Sequence, residues 1–202
     1  IPHSSYGAAK AAIDALVQVR WREAKTPCIA LPQFNCIGER ETHPYIVPEI
    51  ISQICGSPYR SSSSSSLPGD SNYSPKLKLG NNSFRDFLYA GDAVRMAAEL
   101  LECGQFGEVY NLGSETGIKV YDLARKIGTL LGWRGAEIEP DESRVRPWEI
   151  WHLQSDNTKI YSAIKSRPEV SLDDALRRTI RYFKDSGRKW VWQRRSGAKS
   201  ST

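Results

Sequence analysis

Tyr6 and Lys10 stand four residues apart in Ser4-Ser5-Tyr6-Gly7-Ala8-Ala9-Lys10-Ala11-Ala12, at what reads as the start of a helix. One helical turn separates them, so their side chains share a face. A phenol with an ordinary pKa of ~10 is a weak base at neutral pH, and an ammonium beside it favours the phenolate by opposite charge. The pair is therefore a candidate proton acceptor. The same spacing also arises by accident on amphipathic helices, so the surrounding chain has to decide between the two.

The elements that would position this pair follow from periodicity. Tyr6 to Ala24 is predicted helical, with Ala9, Ile13, Leu16, Val17 and Arg20 at i, i+3, i+4 spacing and Ser4 or Ser5 available as cap. Pro27 follows the end of this helix, and Cys28-Ile29-Ala30-Leu31 then suits a short buried parallel strand leading to Asn35. Pro48 to Ile54 suggests a short helix, and Lys76-Leu77-Lys78-Leu79 a strand. Phe84 to Tyr89 is predicted as a strand, with Asp92 capping a helix that carries Val94, Ala97, Ala98 and Leu101. Gly107 to Leu112 forms another strand. Val120, Leu123, Ala124, Ile127, Leu130 and Leu131 make an apolar helix face stopped by Gly132. Glu137-Ile138-Glu139 is strand-like, Asp156-Asn157 opens a short helix, and Ser171 with Asp174 forms a capping box before the last one.

Ordered motifs then narrow the choice. Tyr6-x-x-x-Lys10 is followed by Phe34-Asn35-x-x-Gly38-x-Arg40, Val47-Pro48-Glu49-Ile50-Ile51, Arg85-Asp86-Phe87-x-Tyr89-x-x-Asp92, Tyr110-Asn111-Leu112-Gly113, Arg146-Pro147-x-Glu149 and Asp156-Asn157-x-Lys159. In that order they resemble the extended short-chain dehydrogenase/reductases, specifically the nucleotide-sugar epimerases and 4,6-dehydratases. The likeness runs from about residue 4 to residue 184. It implies an α/β fold: the C-terminal part of a Rossmann-type doubly wound sheet together with the smaller α/β substrate-binding domain. It also implies NAD or NADP as cofactor, a nucleotide-diphosphate sugar as substrate and a homodimeric full-length enzyme.

Residue by residue, the resemblance makes Tyr6 the base for the sugar 4-hydroxyl. Lys10 would lower the phenol pKa and hold the cofactor ribose, so both are catalytic and cofactor-binding. Asn35 would contact bound substrate, since a neutral amide donates to a phosphate or hydroxyl oxygen without a counter-charge; its ordinary alternative is an Asx-turn. Arg85 and Arg146 would grip the diphosphate, for which the planar guanidinium fork is suited, with Arg144 able to share the work. The bland alternative for Arg85 is pairing with a neighbouring acid such as Asp86 on a solvated edge. Trp148, Trp151 and His152 could stack on a nucleotide base or cover core. Two departures from the family pattern bear on activity. Pro32 stands where the family commonly has arginine, and Glu39 brings a carboxylate toward the diphosphate.

No G-x-x-G-x-x-G follows a strand in the chain, so the expected organisation is partial. Residues 1–45 read as the last part of the dinucleotide-binding domain and 46–186 as the substrate-binding part with a Ser-rich insertion at 57–75. Residues 187–202 form a basic tail. An inactive nucleotide-sugar-binding module, or a decayed fragment without catalysis, is the competing reading.

Composition fits an ordinary globular protein, at 40% hydrophobic and 25% charged residues. No apolar run approaches the ~20 residues of a membrane span. The net charge of +5 equals the five bases of the tail, and removing these from the 28 leaves 23 bases against 23 acids. That balance argues against a nucleic-acid surface on the body, although Trp190 and Trp192 in the tail could stack on bases. Cys28, Cys36, Cys55 and Cys103 show no C-x-x-C pairing, which suits buried thiols of a reducing cytoplasm and no metal site. Without a Gly-rich pyrophosphate cradle, the 202-residue chain is expected not to bind dinucleotide tightly. Calorimetry with NAD should show no micromolar binding, and a micromolar isotherm would overturn this reading.

Overall fold

A computed structural model of the chain describes residues 2–41, 45–55, 76–133, 137–145 and 148–186. The Ser-rich insertion at 57–75, the basic tail at 187–202 and the Arg146-Pro147 pair therefore lie outside the described residues.

Helix α1 (Ser5–Ala24) begins where Ser4, in an extended conformation, turns its Oγ to the Gly7 N–H at 3.1 Å. It ends where Lys25 enters the left-handed region at φ 52° and returns its N–H to the Trp21 carbonyl. The predicted apolar stripe is helical but not core. Ile13 is 48% and Leu16 57% exposed, and α1 has no buried residue. Its main anchor is Trp21, whose ring meets Phe106 at 5.5 Å.

The central strand is β3 (Phe84–Tyr89), paired in parallel with β1 (Asn35–Ile37) through Asn35↔Phe87, Cys36↔Leu88 and Ile37↔Tyr89. At its other end β3 meets β4 (Gly117–Lys119) antiparallel and β6 (His152–Leu153) parallel. A separate parallel pair joins β2 (Lys76–Leu79) to β5 (Glu137–Pro140). Side chains alternate across a strand. Ile37 and Phe87 therefore join one cluster with Ile50, Leu77, Leu123 and Leu176, while Leu88 joins another with Met96, Leu100, Leu112 and Ile160. The first cluster is roofed by α2 (Ile46–Cys55), α4 (Val120–Leu130) and α6 (Leu172–Ser186). The second is covered by α3 (Ala90–Cys103) and α5 (Thr158–Ala163). Each fully buried Leu or Ile contributes about 1.5–3 kcal/mol, which explains why α2 and α4 form despite their modest length.

The predicted strands at 28–31 and 107–112 are reduced to two parallel bridges, Ala30↔Val109 and Gln33↔Leu112. Pro32 accepts from the Leu112 N–H at 3.0 Å but has no N–H to return, so the ladder breaks there and resumes only with the Phe34 N–H on the Leu112 carbonyl at 2.9 Å. Asp92 does not cap α3. The helix starts on Tyr89 with no side-chain cap, and the buried Asp92 carboxylate instead accepts the Glu169 and Val170 N–H groups at 3.0 and 2.9 Å and Arg95 Nη2 at 2.7 Å. Burial disfavours its charge, but these donors outweigh burial and hold the carboxyl below its ordinary value. The capping box forms as expected, Ser171 Oγ accepting from the Asp174 N–H at 3.1 Å. Gly132 closes α4 at φ 88°.

Asp86 is fully buried rather than on a solvated edge. Its Oδ1 accepts from the Ser114 N–H and Oγ at 2.8 and 2.6 Å. Its Oδ2 accepts from the Glu115 N–H at 3.1 Å and from the Ser155 N–H and Oγ at 3.0 and 2.6 Å. A Cβ on Gly113 would lie 2.3 Å from Ser155 Oγ and 2.7 Å from Asp86 Oδ2, so only glycine lets the loop approach this closely. Removing the carboxylate strands buried donors. Asp86→Ala should lower stability by more than about 3 kcal/mol and Gly113→Ala by about 1–3 kcal/mol, read as shifts in urea midpoint. An Asp86→Ala midpoint within error of wild type would show that solvent satisfies these groups.

Candidate active site

Several of the motif residues, though not Tyr6 or Lys10, line a cavity of about 710 Å³ that opens beside the start of β1. Asn35 from β1, Arg85 and Phe87 from β3, Glu49 from α2, Arg144 from the 3-10 turn Glu142–Arg144, and Glu149 all line it. Arg40 and Glu41 contribute from the turn after β1, where Arg40 takes a positive φ of 70° and the Glu41 N–H reaches the Gly38 carbonyl.

Two of the three expected substrate-binding residues, Asn35 and Arg85, have a place in this wall. Asn35 donates its amide to the Asp86 carbonyl at 2.8 Å, which ties the cavity edge to the β3 backbone. Arg85 does pair with an acid, but the acid is Glu149 and not Asp86. Arg85 Nη2 contacts Glu149 Oε1, with the two side chains only 16% and 14% exposed. Its Nη1 donates to the carbonyls of Phe84 at 2.8 Å and Ile150 at 2.6 Å. Arg144 Nη1 donates to Glu49 Oε1 at 3.0 Å and its Nε to Asp141 Oδ2 at 3.1 Å, pinning the 3-10 turn to α2. Arg146 lies outside the described residues.

Tyr6 is 73% exposed at the start of α1, and Lys10 Nζ sits 5.5 Å from the centre of its ring. The ammonium is thus held against the π face, within one turn of the phenol. His3, three residues before Tyr6, lines a second hollow of about 770 Å³ with Asn81, Trp148, Glu149, Trp151 and His152. Asn81 and Glu149 belong to both hollows, so His3 shares a hollow with the partner of Arg85, whereas Tyr6 and Lys10 line neither hollow. Trp148 and Trp151 are exposed there and do not cover core, whereas His152 stacks on Phe84 at 4.4 Å. All four cysteines are free. Cys55 and Cys103 are exposed, against the expectation of buried thiols.

From the turn after β1 it is Glu41, and not Glu39, that lines the cavity. Glu39 accepts from the Tyr89 hydroxyl at 3.0 Å, whereas Glu41 turns inward with Oε2 buried and, among the described residues, without a hydrogen-bond partner. Burial raises its carboxyl to about 8, so it is mostly protonated at neutral pH. Burial, then the nearby Glu41, push the Cys36 thiol up as well. Nothing in local sequence marks Glu41. Glu49 and Glu149 were visible only as motif letters, and their pairing with arginines needed the fold.

With this geometry in view, the comparison with known proteins is decisive. A profile of the GDP-mannose 4,6-dehydratase family matches residues 1–179. The chain belongs to that family. Among curated relatives of this dehydratase family, human dTDP-D-glucose 4,6-dehydratase is 25% identical over 195 residues, covering 94% of this chain and 51% of its own length. The Escherichia coli dTDP-glucose 4,6-dehydratase 1 is 27% identical over 209 residues, covering 99% of this chain and 52% of its own. The chain therefore spans about half the length of the curated relatives it matches. Among solved structures, the dTDP-glucose 4,6-dehydratase DesIV of Streptomyces venezuelae with NAD bound superposes with a TM-score of 0.77 at 21% identity, over 96% of this chain and 54% of its own. RMD of Pseudomonas aeruginosa, complexed with NADPH, gives 0.75 at 20% identity over 93% of this chain and 59% of its own. These likenesses establish the Rossmann-type α/β fold of the dehydratase family for this chain. None of its described helices is long and apolar enough to cross a membrane.

The partly buried Glu41 gives the site a pH signature. In the unfolded chain this carboxyl ionises near 4.5, and in the folded one it keeps its proton to about 8. Between those values the folded state binds more protons, so stability falls as pH rises and levels off above about 8. Urea midpoints measured from about pH 5 to pH 9 should decline less steeply in Glu41→Gln than in wild type. Parallel curves would place Glu41 in solvent.

Proposed function

We propose that the protein is an NAD- or NADP-dependent nucleotide-sugar 4,6-dehydratase, with a 4-epimerase as the runner-up, oxidising the sugar C4 hydroxyl through Tyr6 and Lys10. The observation that carries this reading is the cavity that brings Asn35 and Arg85 to one wall and shares Glu149 and Asn81 with the hollow lined by His3, three residues before Tyr6. The exposed Tyr6 and Lys10 on one helix face fit the nicotinamide-ribose end of the cofactor. The bound nicotinamide would accept hydride from C4.

Within that frame the residues have separate tasks. Tyr6 removes the 4-hydroxyl proton, and Lys10 stabilises the phenolate and reaches for ribose hydroxyls. Arg85 binds the diphosphate of the nucleotide sugar, its orientation fixed by the Phe84 and Ile150 carbonyls. Arg146 is proposed as the second diphosphate arginine and Asn35 as a substrate contact on the cavity edge. A 4-keto sugar results. A dehydratase then eliminates water across C5 and C6 and the hydride returns to C6, whereas in an epimerase it returns to the opposite face of C4. Family membership and the Arg146-Pro147-x-Glu149 stretch support the dehydratase form. A cytoplasmic location belongs to the same proposal, supported by the free thiols.

Titration of the chain with UDP and dTDP separates binding from chemistry. Arg85→Ala should weaken nucleotide binding roughly ten- to a hundredfold, the value of a charge-assisted contact, and should also cost stability because Glu149 loses its partner. Tyr6→Phe should leave that affinity unchanged. In the assembled enzyme with its dinucleotide-binding half, Tyr6→Phe should lower kcat by about a hundredfold or more. Nucleotide binding with a kcat indifferent to Tyr6 would favour an inactive nucleotide-sugar-binding module, and undiminished affinity in Arg85→Ala would remove Arg85 from the substrate.

A further inference from the structure

Arg85 is positioned by one set of contacts and neutralised by another. Both Nη1 hydrogens go to main-chain carbonyls, Phe84 at 2.8 Å and Ile150 at 2.6 Å, and these hold the guanidinium plane whatever Glu149 does. Nη2 is the terminal nitrogen left to face the cavity, and Glu149 Oε1 holds it. Both side chains are mostly shielded from water and both line the cavity, so the pair is weakly screened and directly in the path of an entering anion.

We propose that Glu149 is an internal competitor for the ligand diphosphate: a side-chain latch that occupies Arg85 in the free protein and must swing away for a nucleoside diphosphate to bind. This deepens the nucleotide-sugar reading and rests on it for the identity of the ligand. The latch can open without disturbing Arg85. The residue next to Glu149, Ile150, grips the guanidinium through its backbone, and only the Glu149 side chain has to change rotamer.

The consequence is selection by charge. A singly charged anion gains nothing by replacing a carboxylate of equal charge on the same guanidinium. A diphosphate carries more charge and more acceptor oxygens, so it gains on exchange. Arg144, the other cavity arginine among the described residues that forms an ion pair, is likewise held, by Glu49 and Asp141. The cavity thus meets a weak anion with Arg85 and Arg144 already satisfied. The cost to a strong anion follows from population arithmetic: a latch closed nine-tenths of the time weakens apparent affinity about tenfold.

The test uses inorganic pyrophosphate and UDP as probes, by calorimetry on the 202-residue chain in metal-free buffer. Glu149→Gln should bind pyrophosphate roughly tenfold more tightly than wild type, and the gain should vanish in the Arg85→Ala background. Thermal melts accompany each variant. Should Glu149→Gln melt below the assay temperature, Glu149→Asp, whose shorter side chain holds the latch less well, should tighten binding in the same direction. Unchanged or weaker pyrophosphate binding in the folded variants would overturn the latch and make Glu149 a positioning residue. The two readings fail separately. A pyrophosphate gain with UDP binding no tighter than pyrophosphate would keep the latch and remove the nucleoside ligand. UDP tighter than pyrophosphate, but indifferent to residue 149, would keep the nucleotide site and remove the latch.

Discussion

Five donors close on the carboxylate of Asp86, and the architecture around the cavity depends on that closure. A charge with no exposure to water is tolerable only if its lone pairs are filled, and Ser114, Glu115 and Ser155 fill them with backbone and hydroxyl hydrogens. The same residue offers its main-chain carbonyl to Asn35. One position on β3 therefore fixes the loop after residue 112, the start of the segment at 155 and the side chain that edges the cavity. Asn157 extends the network, accepting from the Gly113 N–H and donating to its carbonyl.

The cavity beside this hub is built largely of compensated charge. Arg85 and Arg144 are paired with Glu149 and Glu49, whereas Arg40 has near it Glu41, which is mostly protonated at neutral pH because of its burial. Such a site has only a small standing field with which to draw in anions from a distance. At Arg85 and Arg144 the positive potential appears only where an acid releases its arginine. This differs from the open cationic clamp suggested by reading the arginines alone, and it explains why Glu149 matters as much as the residue it holds.

Local signals carried much of the fold. The Ser4 cap, the α4 stripe ending at Gly132 and the Ser171–Asp174 box all depend on residues within a turn or two of one another, and all are found as read. The motif order disclosed the family because it survives without knowledge of contacts. Long-range pairings were not legible. Arg85 and Glu149 are 64 residues apart, Arg144 and Glu49 are 95, and no periodicity links them. Asp86 looked like a strand-edge acid because its five donors come from two distant loops, and Asp92 looked like a cap because the 169–170 backbone it serves is 77 residues away. The apolar stripe of α1 shows the reverse failure: a pattern that specifies a helix does not say what covers it, and among the described residues its outer face stays exposed.

Surface connections normally drift in length because little depends on their path. The two that meet at Asp86 are an exception. The segment from Gly113 to Glu115 and the one at Ser155 both deliver main-chain N–H groups to the same pair of oxygens, and Gly113 packs between them with no room for a side chain. One residue more or fewer in either segment would withdraw its donors from the carboxylate. These connections are therefore gauged to length as strictly as a strand is to register, and variation in the protein's outline is channelled to other loops.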